Sequence, residues 1–405
     1  MASKKKVVVV GANFAGLSCS MKLSSRYDVT VIDPVADFEF LPNIHELLSG
    51  VKTPELLRLP RGRIIRRNCH QFVQDSVSDI DAQAGRVRTA TGKEYAFDAC
   101  VVAVGGVNNT YGLPGVEAYS LPFKSVDDCY EIATRADALV DGGKAASIVI
   151  VGGGLEGVEA LGELLRKYRN VETLSVHLVE GSDTLLPGID PALSAQVQQK
   201  CEPYAVTFHL GESVKSLTRT RVRLASGKSL KSDLTLWTGG AAPSPLLFSS
   251  GLSADSRSWA AVKPTLQSEA FPNVFVTGDA AKLPAPVSKQ AYHALDMGAH
   301  AAQNVKRYLA GDGLKSFRSG PEISLISLGD IDTYLLLGKR ILAGPALAPA
   351  KEVIFQANMA RIDPPLGLNA AMDLKGRYWQ GLRKLALPAI WPPSSLKRLK
   401  NLRML

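Results

Sequence analysis

The pattern of hydrophobic and polar positions predicts two copies of one strand–turn–helix unit. In each copy a fully apolar run, Val7–Val10 or Ile148–Val151, leads directly into a glycine-rich turn, and residues at helical spacing follow. A strand that is apolar on both faces is typical of the interior of a parallel sheet. The sequence therefore predicts an α/β protein that contains two doubly wound domains.

The two turns follow the spacing G-x-G-x-x-G, in which backbone N–H groups at a helix N-terminus hold a pyrophosphate. The second turn has all three glycines, whereas the first has Asn13 at the middle position. Asparagine tolerates positive φ better than most residues, so we expect the first turn to keep its shape. The predicted dinucleotide-binding residues are Gly11, Asn13, Phe14, Ala15 and Gly16 in the first turn and Gly152, Gly154, Leu155, Glu156 and Gly157 in the second.

An acid ends the next predicted strand of each unit. Asp33 comes 22 positions after Gly11, close to the offset of about 20 at which a carboxylate meets a ribose 2′-hydroxyl. Glu180 holds the corresponding place in the second unit and would repel the 2′-phosphate of NADPH. The sequence thus predicts two bound dinucleotides, with NADH favoured over NADPH on the second unit.

Glycines also end three later strands of the predicted domains. Gly105 and Gly239 would allow the backbone to come close to a cofactor. After the strand at 274–276, Gly278-Asp279 precedes a helix predicted to start near Pro286. Asp279 would accept from a ribityl hydroxyl, and the positive end of the helix would stabilise a reduced flavin.

The remaining pattern predicts a helix from Phe38 to Gly50, a helix from Ser125 to Leu139, β-meanders at 64–98 and 206–236, and strands at 323–328 and 333–337. His45 lies in the first of these helices. A lone histidine there is more often a packing or hydrogen-bonding residue than a proton donor.

Length and composition agree with this picture. The 405 residues exceed what one core usually holds, and 46% hydrophobic with 21% charged residues describe a globular chain. The five cysteines form no CxxC pair, and we predict no metal site. We also predict no signal peptide and no transmembrane helix, because no window reaches about 18 uncharged apolar residues.

The paired turns, the glycine-ended strands and Thr277-Gly278-Asp279 together resemble the two-dinucleotide-domain flavoproteins of the pyridine nucleotide–disulfide oxidoreductase superfamily. The resemblance covers about residues 5–310. It implies FAD on the first unit and NAD(P)H on the second. Disulfide reductases carry a CxxC pair and sulfide:quinone reductases need a late cysteine. This chain lacks a CxxC pair and has no cysteine after Cys201, so both branches are disfavoured.

Within the superfamily, residues 152–164 resemble type II NADH dehydrogenases and the apoptosis-inducing-factor-like, ferroptosis-suppressor-type quinone reductases. Phe40-Leu41-Pro42 resembles their flavin-side segment, which implies Pro42 in the FAD site. Lys289-Gln290-Ala291-Tyr292 resembles the second branch and implies a catalytic Lys289 beside the flavin at the quinone pocket. The alternative for Lys289 is a solvated lysine at a helix start. Glu159 would seat the nicotinamide.

The predicted domains are a discontinuous FAD-binding domain (1–112 and 251–321), an NAD(H)-binding domain (113–250), a C-terminal α+β interface domain (322–372) and a basic amphipathic tail (373–405). Both dinucleotide domains are Rossmann-like with β-meander insertions. The family often pairs through its C-terminal region, which implies a homodimer.

The tail accounts for most of the net charge of +9, because eight cations and no acid follow Asp373. Apolar residues at helical spacing, edged by cations and by Trp379 and Trp391, are typical of a helix lying on an anionic membrane surface. The alternative is that the tail forms a basic helix that packs on the protein or binds nucleic acid. We expect no nucleic-acid partner, because aromatic and basic residues do not interleave elsewhere.

These observations predict a peripheral flavoenzyme on the cytoplasmic side of a membrane. It would pass a hydride from NADH to FAD and two electrons on to a membrane quinone, without pumping protons. Two alternatives stay open: a soluble FAD-dependent reductase of an iron–sulfur protein, and a signalling flavoprotein similar to apoptosis-inducing factor.

Overall fold

A computed structural model describes residues 3–338, 340–364 and 403–404, which form two compact units. Unit 1 comprises Met1–Glu39, Arg58–Val107 and Ala241–Gly320. Unit 2 comprises Phe40–Leu57, Asn108–Gly240 and Pro321–Leu405. The assignment of one cofactor to each predicted domain stays a prediction.

Unit 1 is built on a five-stranded parallel sheet whose central strand is the apolar run before the first turn. In spatial order its strands are Val274–Val276, Ala99–Val102, Lys6–Val10, Asp28–Asp33 and Gln71–Gln74. Helix Phe14–Lys22 follows the turn and packs against helix Ala291–Ala310. Their contact is close because a Cβ on Gly298 would overlap the carbonyl oxygen of Ala15.

Unit 2 repeats this arrangement. Its parallel strands are, in spatial order, Leu121–Pro122, Leu234–Trp237, Ala146–Val151, Leu174–Glu180 and Val206–Leu210. The helix after the second turn is Leu155–Tyr168. In each unit a buried strand of a parallel sheet leads into the glycine-rich turn, which confirms the predicted α/β class with two Rossmann-like sheets. Val126–Asp141 confirms the predicted helix near 125–139, and Ser125 caps it by accepting from Asp128 N.

Both predicted meanders are present but shorter than expected. The antiparallel strands are Val77–Asp81, Arg86–Thr89 and Glu94–Ala96 in unit 1, and Val214–Thr218, Arg221–Leu224 and Ser229–Lys231 in unit 2. The prediction of strands from residue 64 was wrong, because Ile64 lies in helix Arg61–Arg66. The outer runs, including Gln71–Gln74 and Val206–Leu210, belong to the parallel sheets instead.

The helix predicted from Phe38 to Gly50 was also wrong in extent. Asp37–Glu39 is a strand that pairs with Arg58–Pro60, and a 3₁₀ helix covers only Leu41–Leu47. The helix predicted near Pro286 begins at Ala291. Shorter elements complete the two units: helices Pro54–Leu57, Val116–Tyr119, Pro191–Cys201 and Pro245–Ser249, the 3₁₀ turns Gly278–Ala280 and Pro345–Leu347, and strands Gly106–Asn108, Ala241–Pro243, Ala260–Ala261 and Ala281–Lys282.

The C-terminal part of unit 2 is an antiparallel sheet with one helix. Ile323–Leu328, Asp332–Leu337, Arg340–Ala343 and Arg403–Met404 pair in this order. Helix Ala348–Ile362, which the pattern did not predict, follows the sheet. The amphipathic segment predicted at 373–405 lies outside the described residues except for its strand at 403–404. Within the described ranges, no helix combines the length and apolarity that crossing a bilayer would require.

Candidate active site

The first glycine-rich turn in unit 1 is held by close backbone contacts. Gly11 has φ +89°, and a Cβ on Gly16 would overlap the carbonyl oxygen of Gly11. The turn keeps its shape as expected, but Asn13 has φ −89°, so the reason is not its tolerance of positive φ. Its side-chain oxygen instead accepts from Glu39 N at 3.3 Å. Asn13 does not cap helix Phe14–Lys22, which leaves the helix N-terminus open to a phosphate.

Asp33 lies at the end of the strand beside this turn and is buried. Its carboxylate accepts from Ala12 N at 2.7 Å and from Val35 N at 2.9 Å. The guanidinium of buried Arg61 also contacts it. These donors hold the carboxylate beside the glycine-rich turn, where a ribose hydroxyl is expected.

The Gly278-Asp279 segment of unit 1 lies beside the same turn. Gly278 has φ +67°, and a Cβ there would lie 3.0 Å from the Cβ of Ala15. The structure therefore brings together Gly11, Ala15, Gly16 and Gly278, as the sequence predicted for one site. The buried Oγ1 of Thr277 has no hydrogen-bond partner among the described residues, which fits a polar cofactor group beside it.

Lys289 of unit 1 lies two residues before helix Ala291–Ala310 and stays accessible to solvent. Its ammonium lies over the ring of Trp259, a cation–π contact. Desolvation lowers the pKa of Lys289 to about 8, and the negative charge of Asp279 acts against this shift. Its proximity to Asp279 fits the predicted flavin-side position.

The second turn, in unit 2, repeats the backbone contacts of the first. Gly152 has φ +110°, and a Cβ on Gly157 would overlap the Gly152 carbonyl oxygen. A Cβ on Gly154 would meet no atom of the described chain within 4 Å. This open space, beside an uncapped helix N-terminus, fits the close approach of a pyrophosphate.

Glu180 lies beside the second turn as Asp33 lies beside the first. Its carboxylate accepts from Gly153 N at 2.6 Å and from Ser182 N at 2.8 Å. Glu156 in the first turn of the helix pairs with Lys124 at 2.6 Å, while Leu155 is exposed.

The remaining predicted positions are placed as follows. Gly105 has φ +61°, and a Cβ there would meet open space among the described atoms. Gly239 packs against the ring of Trp237. Pro42 is exposed in the 3₁₀ helix of unit 2.

Unit 2 also contains a buried cluster of charged side chains, which we call the charged cluster. It joins the 3₁₀ helix and the loop after it, helix Leu155–Tyr168, and helix Ala348–Ile362. Its members are His45, Glu46, Lys52, Glu159, Glu163, Arg166, Lys351 and Glu352.

Lys351 is the centre of one half of this cluster. Its ammonium contacts the carboxylate of Glu159 and lies 3.0 Å from His45 Nε2. Glu159 also accepts from Ser327 N at 3.2 Å. Burial raises the pKa of Glu159, and Lys351 opposes this shift. Burial also lowers the pKa of His45 far below its usual value, with Lys351 adding to the effect, so His45 is neutral at pH 7.

The sequence analysis named Glu159 but missed Lys351. A lysine and a glutamate at 351 and 352 interrupt the apolar run 341–350, and this interruption is the one signal that the sequence offered. The sequence analysis predicted no helix over this stretch, because residues 344–349 are rich in proline, alanine and glycine. His45 makes the hydrogen-bonding contact that was expected of it, but to a lysine within a charged cluster.

Comparison with known proteins places these features in one family. Residues 5–298 match the family model described as pyridine nucleotide-disulphide oxidoreductase. A type II NADH:quinone oxidoreductase of Staphylococcus epidermidis is 29% identical over 381 residues, covering 87% of this chain and 94% of that protein. Its counterpart in Staphylococcus aureus is 26% identical over the same shares.

Two solved structures illustrate the likeness of fold. NDH2 from Plasmodium falciparum in complex with NADH aligns with a TM-score of 0.81 and 16% identity, covering 96% of this chain and 99% of that one. The sulfide:quinone oxidoreductase of Aquifex aeolicus aligns with a TM-score of 0.72 and 17% identity, covering 99% and 97%. At these identities the alignments establish the fold.

Proposed function

Because the chain belongs to the pyridine nucleotide-disulphide oxidoreductase family, we propose that it is an FAD-dependent NADH:quinone oxidoreductase. It takes a hydride from NADH and passes two electrons to a quinone. The relatives named type II NADH:quinone oxidoreductase, matched over 87% of this chain, support the reaction. Membership of this family supports the use of a flavin and a nicotinamide nucleotide. The glycine-rich turns of the two parallel sheets are the candidate binding sites for them.

FAD is assigned to the turn of unit 1 and NADH to the turn of unit 2. The first site has the more enclosed acid, Asp33, and the segment Thr277–Asp279 beside the turn, as a resident cofactor requires. The second site has Glu180, which disfavours a 2′-phosphate and hence NADPH. A bound flavin supplies the two-electron step between nicotinamide and quinone, and the protein holds both in place.

The observation that carries the proposal is the Glu159–Lys351 contact with His45. A quinone becomes a quinol by taking two electrons and two protons, so the enzyme must supply protons at the acceptor. An ammonium paired with a carboxylate of raised pKa, beside a neutral imidazole, can hold and release protons. Glu159 and Lys351 are assigned this role, and seating of the nicotinamide by Glu159 remains part of the proposal.

Lys289 is assigned to the flavin side of unit 1. Its positive charge would stabilise negative charge on a reduced cofactor. Desolvation lowers the pKa of Lys289 to about 8, and the nearby charge of Asp279 opposes this shift. The charge is present below about pH 8 and is lost above it. Lys289→Met should therefore slow reduction of the flavin by NADH most below about pH 8, where Lys289 of the native enzyme is charged.

The protein is further assigned to the cytoplasmic side of a membrane as a peripheral enzyme that can pair as a homodimer. Residues 374–405 would bind anionic lipid through their eight cations. Arg403–Met404 forms a strand with Arg340–Ala343, so truncation would damage the sheet. A triple substitution, Lys397→Gln, Arg398→Gln and Lys400→Gln, tests the membrane role without removing that strand.

The test is NADH oxidation with a short-chain ubiquinone, with and without vesicles that contain anionic lipid. We expect a yellow protein whose flavin bleaches with NADH under anaerobic conditions and whose quinone reduction follows. Vesicles should raise the activity of the native chain and not of the triple variant. A flavoprotein that reduces ferricyanide but not ubiquinone would refute the quinone assignment and favour reduction of an iron–sulfur protein. A protein that NADH does not bleach would favour a signalling role.

A further inference from the structure

The second half of the charged cluster centres on Glu163, which lies one helical turn after Glu159. Residues four apart on a helix are neighbours, with Cβ atoms about 5–6 Å apart. The side chain of Glu163 is 1% exposed. Its carboxyl contacts the hydroxyl of Ser49, and Arg166 Nη1 lies 3.4 Å away.

The hydrogen bonds of Ser49 indicate that Glu163 carries a proton. Ser49 Oγ lies 3.3 Å from the carbonyl oxygen of Glu46, and a carbonyl oxygen can only accept. A hydroxyl has one proton to donate. Ser49 could donate to both oxygens only through a weaker three-centre hydrogen bond, whereas a protonated Glu163 that donates to Ser49 allows two separate hydrogen bonds.

The charge balance of the cluster leads to the same conclusion. Four carboxyl groups face three cations, so full ionisation would bury one uncompensated negative charge, at a large desolvation cost. One proton on a carboxyl makes the cluster neutral, because His45 is uncharged. The ionisable groups around Glu163 are His45, Glu46 and Lys52 on the 3₁₀ helix and its loop, Glu159 and Arg166 on its own helix, and Lys351 and Glu352 on the C-terminal helix.

Glu163 is the carboxyl best placed to keep this proton. Glu352 contacts Lys52, Glu159 contacts Lys351, and Glu46 accepts from Asn43 Nδ2 at 3.0 Å. Arg166 Nη1 lies 3.4 Å from Glu163, closer than the 3.9 Å between Lys52 Nζ and Glu46, so the contact with the hydroxyl of Ser49 is what distinguishes Glu163 from Glu46. Burial accordingly raises the pKa of Glu163 to about 7, with the charge of Glu46 adding to the rise.

We propose that Glu163 stores the proton that quinone reduction takes from the medium, and delivers it through the Glu159–Lys351 pair. This inference rests on the proposed function. The overall reaction is NADH + H⁺ + quinone → NAD⁺ + quinol: the hydride brings two electrons and one proton, and the quinol needs a second proton. The O–H bond of Glu163 breaks as the pair is reprotonated, and Glu163 takes a new proton from solvent before the next turnover.

The decisive variant is Glu163→Gln, which keeps the shape of the side chain but has no proton to transfer. Ferricyanide takes electrons only, so NADH–ferricyanide activity should stay within about twofold of the native value. Quinone reduction at pH 7 should fall about tenfold or more, in the range of general acid–base effects. The native quinone rate should decrease as pH rises through about 7, and the variant should lose that decrease. Glu131→Gln, at an exposed glutamate paired with Arg135, is the matched control and should change neither.

A measurement that needs no turnover tests the stored proton itself. The infrared carbonyl band of a protonated carboxylic acid should be present in the native protein below pH 7, disappear as pH rises through about 7, and be absent in Glu163→Gln. Ser49→Ala should shift the midpoint of this titration because it removes the hydrogen-bond partner of the acid.

The outcomes separate this inference from the proposed function. A native enzyme that does not reduce ubiquinone refutes the function, whatever the infrared titration shows. A native enzyme that reduces ubiquinone while Glu163→Gln keeps its rate and its pH profile refutes the storage role alone. If Glu163→Gln does not fold, Ser49→Ala still decides, since an unshifted titration and pH profile would contradict the proposal.

Discussion

The two glycine-rich turns have the same backbone and different surroundings. In each, the third glycine lies against the carbonyl oxygen of the first, and the first has positive φ. The acid of the next strand accepts from the second residue of each turn, Ala12 or Gly153. Beyond this shared frame, Asp33 is buried and contacts the guanidinium of Arg61. Glu180 is partly exposed and accepts from the backbone N–H groups of Gly153 and Ser182.

This difference suggests how one fold can serve two kinds of ligand. A resident cofactor favours an enclosed site whose acid is held by a buried cation. A nucleotide that enters and leaves at each turnover favours an accessible acid that is held by backbone N–H groups and not by a buried cation. If the assignment of FAD to unit 1 and NADH to unit 2 is correct, matched changes in the two turns should therefore have different consequences.

The largest effects are expected from adding a methyl group to the third glycine of each turn. Gly16→Ala would force Cβ into the Gly11 carbonyl, and Gly157→Ala would do the same at Gly152. We expect Gly16→Ala to abolish flavin retention and Gly157→Ala to leave a yellow protein that NADH bleaches at least 100-fold more slowly. Flavin absorbance after gel filtration and anaerobic stopped-flow reduction measure the two effects. A colourless Gly157→Ala protein with a yellow Gly16→Ala protein would reverse the cofactor assignment.

The next effect concerns the buried ion pair between Asp33 and Arg61 beside the first turn. Arg61→Met leaves the Asp33 carboxylate buried with its backbone donors alone. Removing one partner of a buried ion pair costs about 3–5 kcal/mol of unfolding free energy. Thermal unfolding with and without added FAD measures this cost. Arg88→Met, which breaks an exposed pair with Glu94, is the control and should leave the unfolding temperature almost unchanged, because solvent screens exposed ion pairs. Equal losses in the two variants would contradict the role given to Arg61.

A smaller effect is expected from the acid of the second turn. Glu180→Gln keeps an oxygen that accepts from Gly153 N and removes the charge that repels a 2′-phosphate. We expect the preference for NADH over NADPH, measured as the ratio of kcat/KM values, to fall about tenfold, which corresponds to about 1.4 kcal/mol. Glu172→Gln, at an exposed position of the same unit, should leave the ratio unchanged. An unchanged ratio in Glu180→Gln as well would mean that other groups select the nucleotide.

The same comparison shows what the sequence could reveal. Gly11, Gly16, Gly152 and Gly157 were predictable because a short local motif fixes their backbone contacts. Asp33 and Glu180 were predictable from their distance along the chain. Arg61 was not, because it lies 28 residues after Asp33, at the start of helix Arg61–Arg66, and the pattern predicted strands from Ile64 and no helix there.

The charged cluster could not be predicted either, because its paired residues are still farther apart along the chain. Lys351 meets Glu159 across 192 residues of chain, and Lys52 meets Glu352 across 300. Periodicity indicates which face of a helix is buried, but it does not indicate which buried charge will meet which. In addition, Gly344–Pro349 concealed the helix that carries both Lys351 and Glu352.

The smallest effect is expected where the two turns differ most in sequence. Asn13→Gly would complete the first motif, yet Asn13 already has an ordinary φ of −89°, so no backbone strain is released. The change removes one 3.3 Å hydrogen bond to Glu39 N and adds backbone entropy to the unfolded chain, each worth about 0.5–1 kcal/mol. We expect flavin affinity to change less than threefold, as measured by fluorescence titration of the apoprotein. The mirror change, Gly154→Asn, fills the open space beside the second turn and should weaken NADH binding more than Asn13→Gly changes flavin binding. Equal effects would mean that the middle position makes the same demand in both turns, and that the asymmetry between the two sites lies entirely in Arg61.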